Sequence, residues 1–270
     1  MTSELLTRVA GTLSDRAEAA EGSQVTVGEG VVLVEVIHPA HGRLAGLAHR
    51  PEGALTDVGV GVETASVPAL VALATGGETN LGRAVGVAAL NALSAPDVDW
   101  RVGDPMAALS SDVETVATVG FFGPALRKFD AVAVRVVERD PPERVDAPDS
   151  VAVELFAPEN CETAFAGADL CFITGSALVY GGVDRYLSVL SDLDVAPVVL
   201  VGATASLLPG PAFDAGVDVV AGARVTDPGG IREQVAGNDC ATDLHEAGVE
   251  KVYVARDDRL PGLRLGEGGG

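Results

Sequence analysis

Three short glycine-bearing stretches each close an apolar run: Gly120-Phe121-Phe122-Gly123 after residues 116–119, Gly175-Ser176 after 170–174, and Gly202-Ala203-Thr204 after 198–201. Where a buried strand gives way to a helix, glycine lets backbone come close to a ligand. The first helical turn then points N–H groups outward, which suits a carboxylate or phosphate. The same residues also read as plain turn chemistry, with Ser176 and Thr204 as helix caps. Three such loops in one chain favour a shared cleft over three unrelated turns. Glu138, eighteen residues after Gly120, ends the next apolar run, where dinucleotide-binding folds keep a ribose-binding acid. Gly120-x-x-Gly123 is only a fragment of the G-x-G-x-x-G fingerprint, however, and a strand-terminal glutamate in an acidic chain reads equally as solvated surface.

Other polar residues carry weaker signals. Asn91 lies on the edge of a helical apolar stripe, so its amide must be hydrogen-bonded, either to order an interface or to meet a ligand. Asp227 before Pro228 has the pattern of a helix cap. Metal ligation could be sought at His38 and His41, three apart in a proline-containing turn, or at Cys240 and His245 with Asp239, Asp243 and Glu246 nearby. Both groups read more readily as solvated surface. Cys161, Cys171 and Cys240 are widely spaced, with no C-x-x-C pair, and are expected to be reduced thiols; Cys171 sits in an apolar run as a small core residue. Ser176 has no G-x-S-x-G elbow around it, which leaves nucleophilic catalysis unsupported.

The elements that would position these residues follow from periodicity. Leu5, Leu6, Val9 and Leu13 recur at helical spacing and predict an opening amphipathic helix that ends near Gly22. Strands are predicted over 24–27, 31–37 and 43–48 as an antiparallel meander, then helices over 66–74 and 81–93. In the second helix Leu81, Ala84, Val85, Ala88, Ala89 and Ala92 form the apolar stripe. Proline and polar turn residues at 96–105 mark a seam. Beyond it, apolar runs at 116–119, 131–137, 170–174, 198–201 and 217–220 alternate with helical stretches, which is the rhythm of parallel β-α units with helices on both sheet faces. A strand-like stretch at 151–156 has no evident place, and the glycine-rich tail 265–270 is expected to be disordered. The reading is therefore an α+β leader over 1–105, a Rossmann-like α/β body over 106–264, and a tail.

Charge narrows the function. The chain carries 39 acidic against 18 basic residues, a net charge of −21, and only two lysines, Lys128 and Lys251. Such a surface repels phosphate backbones, which excludes nucleic acid as a partner. Self-repulsion of this size is best tolerated where salt screens it, so a halophilic setting is expected. No apolar run approaches the ~20 residues that span a bilayer, and the first residues lack the basic start and apolar run of a secretory signal. A cytoplasmic protein without membrane association is expected; a homo-oligomer is compatible with the sequence.

Several segments together resemble a prokaryotic family of heavy-metal chelation proteins of unknown function: residues 86–92, Val119-Gly120-Phe121-Phe122, Ile173-Thr174-Gly175-Ser176-Ala177-Leu178, Val201-Gly202-Ala203-Thr204, residues 213–218 and Val225-Thr226-Asp227. Their order and spacing carry the likeness from about Gly82 onward. The resemblance implies a leader domain like the first domain of enolases, a Rossmann-like body, and a ligand site between them. The candidate site then comprises Asn91, Gly120, Phe121, Phe122, Gly123, Glu138, Thr174, Gly175, Ser176, Gly202, Thr204 and Asp227, with Asn91 as the roof and an anionic group on the floor. Three functions remain open. The first is handling of a heavy metal or metal chelate. The second is a small-molecule enzyme using the same cleft, with Glu138 or another carboxylate as base and a nucleotide-type cofactor. The third is a ligand-free structural or regulatory subunit.

Overall fold

The computed structural model describes residues 3–58, 60–62, 64–237 and 248–266. Ser3 accepts the Leu6 N–H and starts α1 (Glu4–Thr12), which buries Leu5, Leu6 and Val9; a break at Leu13 separates it from α2 (Ser14–Ala19). The meander then forms as expected from β1 (Gly22–Val27), β2 (Val31–His38) and β3 (Gly42–His49), all antiparallel. Side chains on β2 alternate between two cores, so the strand is buried on both faces. Val32, Val34 and Val36 join the main apolar cluster, while Val31 and Leu33 join a smaller one with Ile231 and Val235.

α3 (Val67–Gly76) and α4 (Asn80–Ser94) follow, capped by Ser66 and Thr79. The expected stripe on α4 proves too narrow. Every residue from Leu81 to Ser94 except Arg83 is buried, because α4 is enclosed on several sides and its alanines and glycines let its neighbours come close.

The large sheet is built from β4 (Arg101–Val102), β5 (Thr115–Val119), β6 (Ala133–Val137), β7 (Ala152–Phe156), β8 (Leu170–Thr174), β9 (Val198–Val201), β10 (Val219–Val225) and β11 (Val249–Ala255). Its order is β4-β11-β10-β9-β8-β5-β6-β7. The six strands from β10 to β7 are parallel, and β11 and β4 add antiparallel to one edge. All five expected strands are present. The unplaced stretch is β7, which pairs with β6. β4 precedes residue 105 yet belongs to this sheet, so the seam at 96–105 is not where the sheet begins.

The helices between these strands are α5 (Gly123–Leu126), α6 (Cys161–Phe165), α7 (Ser176–Tyr180), α8 (Val183–Asp192), α9 (Pro209–Asp214) and α10 (Pro228–Ala236). They are shared unevenly. α6 to α9 pack on one face, where Ala117, Cys171, Ile173 and Leu200 join the same apolar cluster as α1, α3 and α4. The other face, with Val116, Phe172 and Val199, is covered by the single turn of α5 and by irregular chain around Met106, Val113 and Leu263. Leu265 packs against this second cluster; residues 267–270 of the expected tail lie outside the described residues. No helix among the described residues is long and apolar enough to cross a membrane.

Candidate functional site

From β5 the chain runs outward through β6 to β7, then returns to β8 and proceeds the other way through β9 to β10. The order therefore reverses between β5 and β8, and ligands of open parallel sheets bind beyond the strand ends at such a reversal. A cleft of about 550 Å³ opens there. His49, Pro51, Glu52 and Asn80 wall it from the meander side, and Gly120, Glu138, Thr174, Ser176 and Tyr180 from the sheet side.

β5, β8 and β9 are neighbours, so the three glycine loops lie side by side. The glycines fit the loops to one another. Gly120 has φ +93°, and a Cβ there would fall 2.6 Å from Thr174 Cγ2; a Cβ on Gly175 would fall 2.7 Å from the Ala205 nitrogen. The N–H groups are spent inside the protein as well. Gly120 donates to Val137 O, Gly175 to Val201 O and Gly202 to Ala221 O. The Phe121 N–H donates to Glu138 Oε2 at 2.8 Å, and the Ser176 N–H to Thr174 Oγ1 at 3.4 Å. Five of the donors expected to meet an anion are thus taken by the protein's own acceptors.

Glu138 is tied down at both oxygens, since Oε1 also accepts the Arg139 N–H at 2.7 Å. Its role here is to fasten the β5 loop to the end of β6. Of the residues anticipated for the site, the cleft gathers Gly120, Glu138, Thr174 and Ser176. The others lie elsewhere. Phe121 and Phe122 turn to a separate apolar cavity with Gly202, and Gly123 begins α5 with a Cβ position 3.1 Å from the Phe121 ring. Asp227 caps α10 by accepting the Gly229 and Gly230 N–H groups.

Asn91 is 1% exposed, and its Nδ2 donates to the carbonyls of Leu47, Ala203 and Thr204 at 2.8, 3.3 and 3.0 Å. It latches α4 to β3 and to the loop after β9, and it does not roof the cleft. Thr204 completes the latch by accepting the His49 N–H on Oγ1 at 2.8 Å.

The sequence reading missed the ring residues. His49 Nε2 and Tyr180 Oη are 3.1 Å apart, either able to donate, and the Arg139 guanidinium lies 5.4 Å from the Tyr180 ring centroid. Tyr186 lines the same cleft. The available signal was scarcity: two of the chain's three tyrosines and one of its four histidines converge here. Although His49 is open to the cleft, partial desolvation by the surrounding walls lowers its pKa. Burial raises that of Tyr180; Arg139 opposes this, and Glu52, Asp140 and Glu138 add to it. At neutral pH the pair is a neutral imidazole bonded to a neutral phenol. The rim holds three carboxylates, Glu52, Glu138 and Asp140, against one guanidinium, so its field favours positive or neutral polar ligands.

Among the described residues no group of three or more His, Cys, Asp or Glu is placed to hold an ion. His38 and His41 have ring centroids 4.8 Å apart but belong to no three-donor group among the described residues, and His38 Nδ1 accepts the Ala40 N–H. Cys161 and Cys171 are free but buried, and desolvation pushes the Cys171 thiol far above its usual range, away from the thiolate a soft metal needs. Cys240 and His245 lie outside the described residues. The described side chains do not fit a bare, fully protein-chelated metal ion.

A parallel-rich sheet with a strand-order reversal, flanked by helices and facing an N-terminal meander across a polar cleft, defines an α/β protein with an open, mostly parallel sheet. Residues 106–254 match the DUF364 family, described as "Putative heavy-metal chelation", and the chain belongs to that family. Its structure is similar to that of a DUF364 protein of unknown function from Pyrococcus horikoshii, with 20% identity, a TM-score of 0.77, and coverage of 93% of this chain and 99% of that one. It is also similar to a DUF364 protein of unknown function from Desulfitobacterium hafniense, with 15% identity, a TM-score of 0.68, and coverage of 93% and 100%. At these identities the likeness shows the shared fold. No curated protein matches the chain.

Proposed function

We propose that this protein binds a small polar molecule that brings its own metal ion, a metal chelate, in the cleft between the meander and the large sheet. The observation that carries this reading is the His49–Tyr180 pair, set beside three carboxylates in a crevice at the strand-order reversal. The family description supports a metal in the chemistry. The donor set supports a metal whose coordination is supplied mainly by the ligand, because the described side chains offer no three-donor group. His49, Tyr180, Ser176 and Asn80 would give the ligand directional hydrogen bonds, and the rim carboxylates would attract a complex of neutral or positive charge.

The test is calorimetric titration of the full chain with Ni²⁺ alone, histidine alone and the preformed nickel–histidine complex, with native mass spectrometry of the freshly purified protein. The complex should bind more tightly than either component, and Tyr180→Phe should weaken it about fivefold, the worth of one ordinary hydrogen bond. Free Ni²⁺ binding as tightly as the complex would instead mean that side chains chelate the metal. No response to any of the three would end the reading.

The His49–Tyr180 bond also favours a second reading, a small-molecule enzyme in which this pair moves a proton. Glu138 suits the base role poorly, since both its oxygens accept backbone N–H groups. The Phe121 N–H that a nucleotide phosphate would use is likewise taken by Glu138. A metal-free organic molecule retained through purification would support this second reading over the first.

A further inference from the structure

The 120–123 loop separates two cavities. Gly120 faces the polar cleft, whereas Phe121 and Phe122 line a cavity of about 380 Å³ on the other side. Its walls are apolar, with Met106, Phe121, Phe122, Val201 and Val252 from the large-sheet side and Leu47 from the meander. Asp104, Lys128 and Lys251 also line it.

These are the only two lysines among 18 basic residues, and both converge on one oxygen. Lys128 Nζ lies 2.6 Å and Lys251 Nζ 2.9 Å from Asp104 Oδ2. Asp104 is held in place independently, because its Oδ1 accepts the Met106 N–H at 3.1 Å. Two ammonium groups on one carboxylate leave a local excess of one positive charge in a chain of net charge −21. Each ammonium has three donors, and one suffices for Asp104. An apolar cavity with excess cationic donors among its lining residues has the complementarity of an amphiphile: a hydrocarbon body inside and an anionic head on the lysines.

We propose that this second cavity binds a small free carboxylic acid with an apolar tail, its carboxylate held by Lys128 and Lys251. The site is distinct from the chelate cleft and does not depend on that assignment. Its volume is that of a modest hydrocarbon tail, so affinity should climb with chain length until the cavity is full.

Calorimetric titration of the full chain at one fixed ionic strength, with hexanoate, heptanoate and octanoate as probes and octanol and octylammonium as controls, tests this. Each added methylene should tighten binding about fourfold, and octanoate should exceed both controls. Lys128→Met or Lys251→Met should weaken octanoate about tenfold or more, as loss of a charge-assisted hydrogen bond does. Asp104→Asn keeps an acceptor for the Met106 N–H but releases both ammonium groups, so it should tighten octanoate even if it lowers stability. That opposite sign keeps the test decisive should a lysine variant fail to fold. Octanol or octylammonium binding as well as octanoate, unchanged affinity in folded lysine variants, or weaker binding in Asp104→Asn would each overturn the proposal.

Discussion

Glu35 lies in the middle of β2 and is 1% exposed, an unusual place for a carboxylate. It is kept charged by two arginines: Arg232 of α10 and Arg43 of β3, the latter at 2.9 Å. Burial alone would raise its pKa, but the hydrogen bonds and charges of Arg232 and Arg43 outweigh burial and hold it below the usual carboxylate range. A lowered folded pKa means that the stabilisation is present above the unfolded value of about 4.3 and is lost as pH falls through the folded value. Glu35→Gln should therefore lower unfolding free energy by about 2 kcal/mol at pH 7, since both arginines can still reach water. The gap between parent and variant should close in denaturant titrations below about pH 4. A gap that persists undiminished into acid would show that packing, not charge, is what Glu35 contributes.

At the scale of elements, the loop after β9, expected as ligand floor, ties the meander to the large sheet, while Gly120 and Ser176 line the cleft. Gly175 faces the loop after β9, so Gly175→Val would press Val against Thr204 and Ala205 and separate the loops. The expected loss is about 2–3 kcal/mol, the cost of overpacking. Because Thr204 is tied to both Asn91 and His49, the meander should loosen too. Asn91→Leu should cost about 2–4 kcal/mol by orphaning buried carbonyls of Leu47, Ala203 and Thr204. Urea titration gives the magnitudes, and amide exchange should show protection falling first in β3 and the 202–206 loop. Ligand affinity of the folded fraction should change little in Asn91→Leu, because Asn91 does not reach the cleft; a large loss of affinity with intact stability would return it to the site.

For the whole molecule, the continuous apolar cluster from α1 and α4 to the large sheet means that the two halves share a core. Unfolding should be a single transition in which probes on the meander and on the large sheet coincide. The net charge of −21 acts on that same transition. We propose that salt stabilises the folded chain by screening self-repulsion, with the denaturant midpoint rising between 0.1 and about 2 M KCl. A midpoint indifferent to KCl would remove the halophilic reading. Tyr180→Phe, which changes no charge, should follow the same salt curve as the parent, which separates its ligand effect from global electrostatics.

Periodicity in the chain determined which stretches are strands and which are helices, because alternation of apolar residues with turn residues is a local property. The meander, the five parallel strands and the adjacency of the glycine loops were legible for that reason, and so was the Asp227 cap, which needs only its own next three residues. The two antiparallel strands, β11 and β4, escaped that reading, β4 because two residues carry no period. Directions in space were not legible at all. A one-dimensional pattern cannot say that Asn91 faces backbone carbonyls, that Glu138 spends its oxygens on the neighbouring loop, or that Phe121 and Gly120 open onto different cavities. His49 and Tyr180 are 131 residues apart, and Lys128 and Lys251 meet Asp104 across a sheet edge. Only the strand order, set by which buried faces can pack together, brings those side chains within reach of one another.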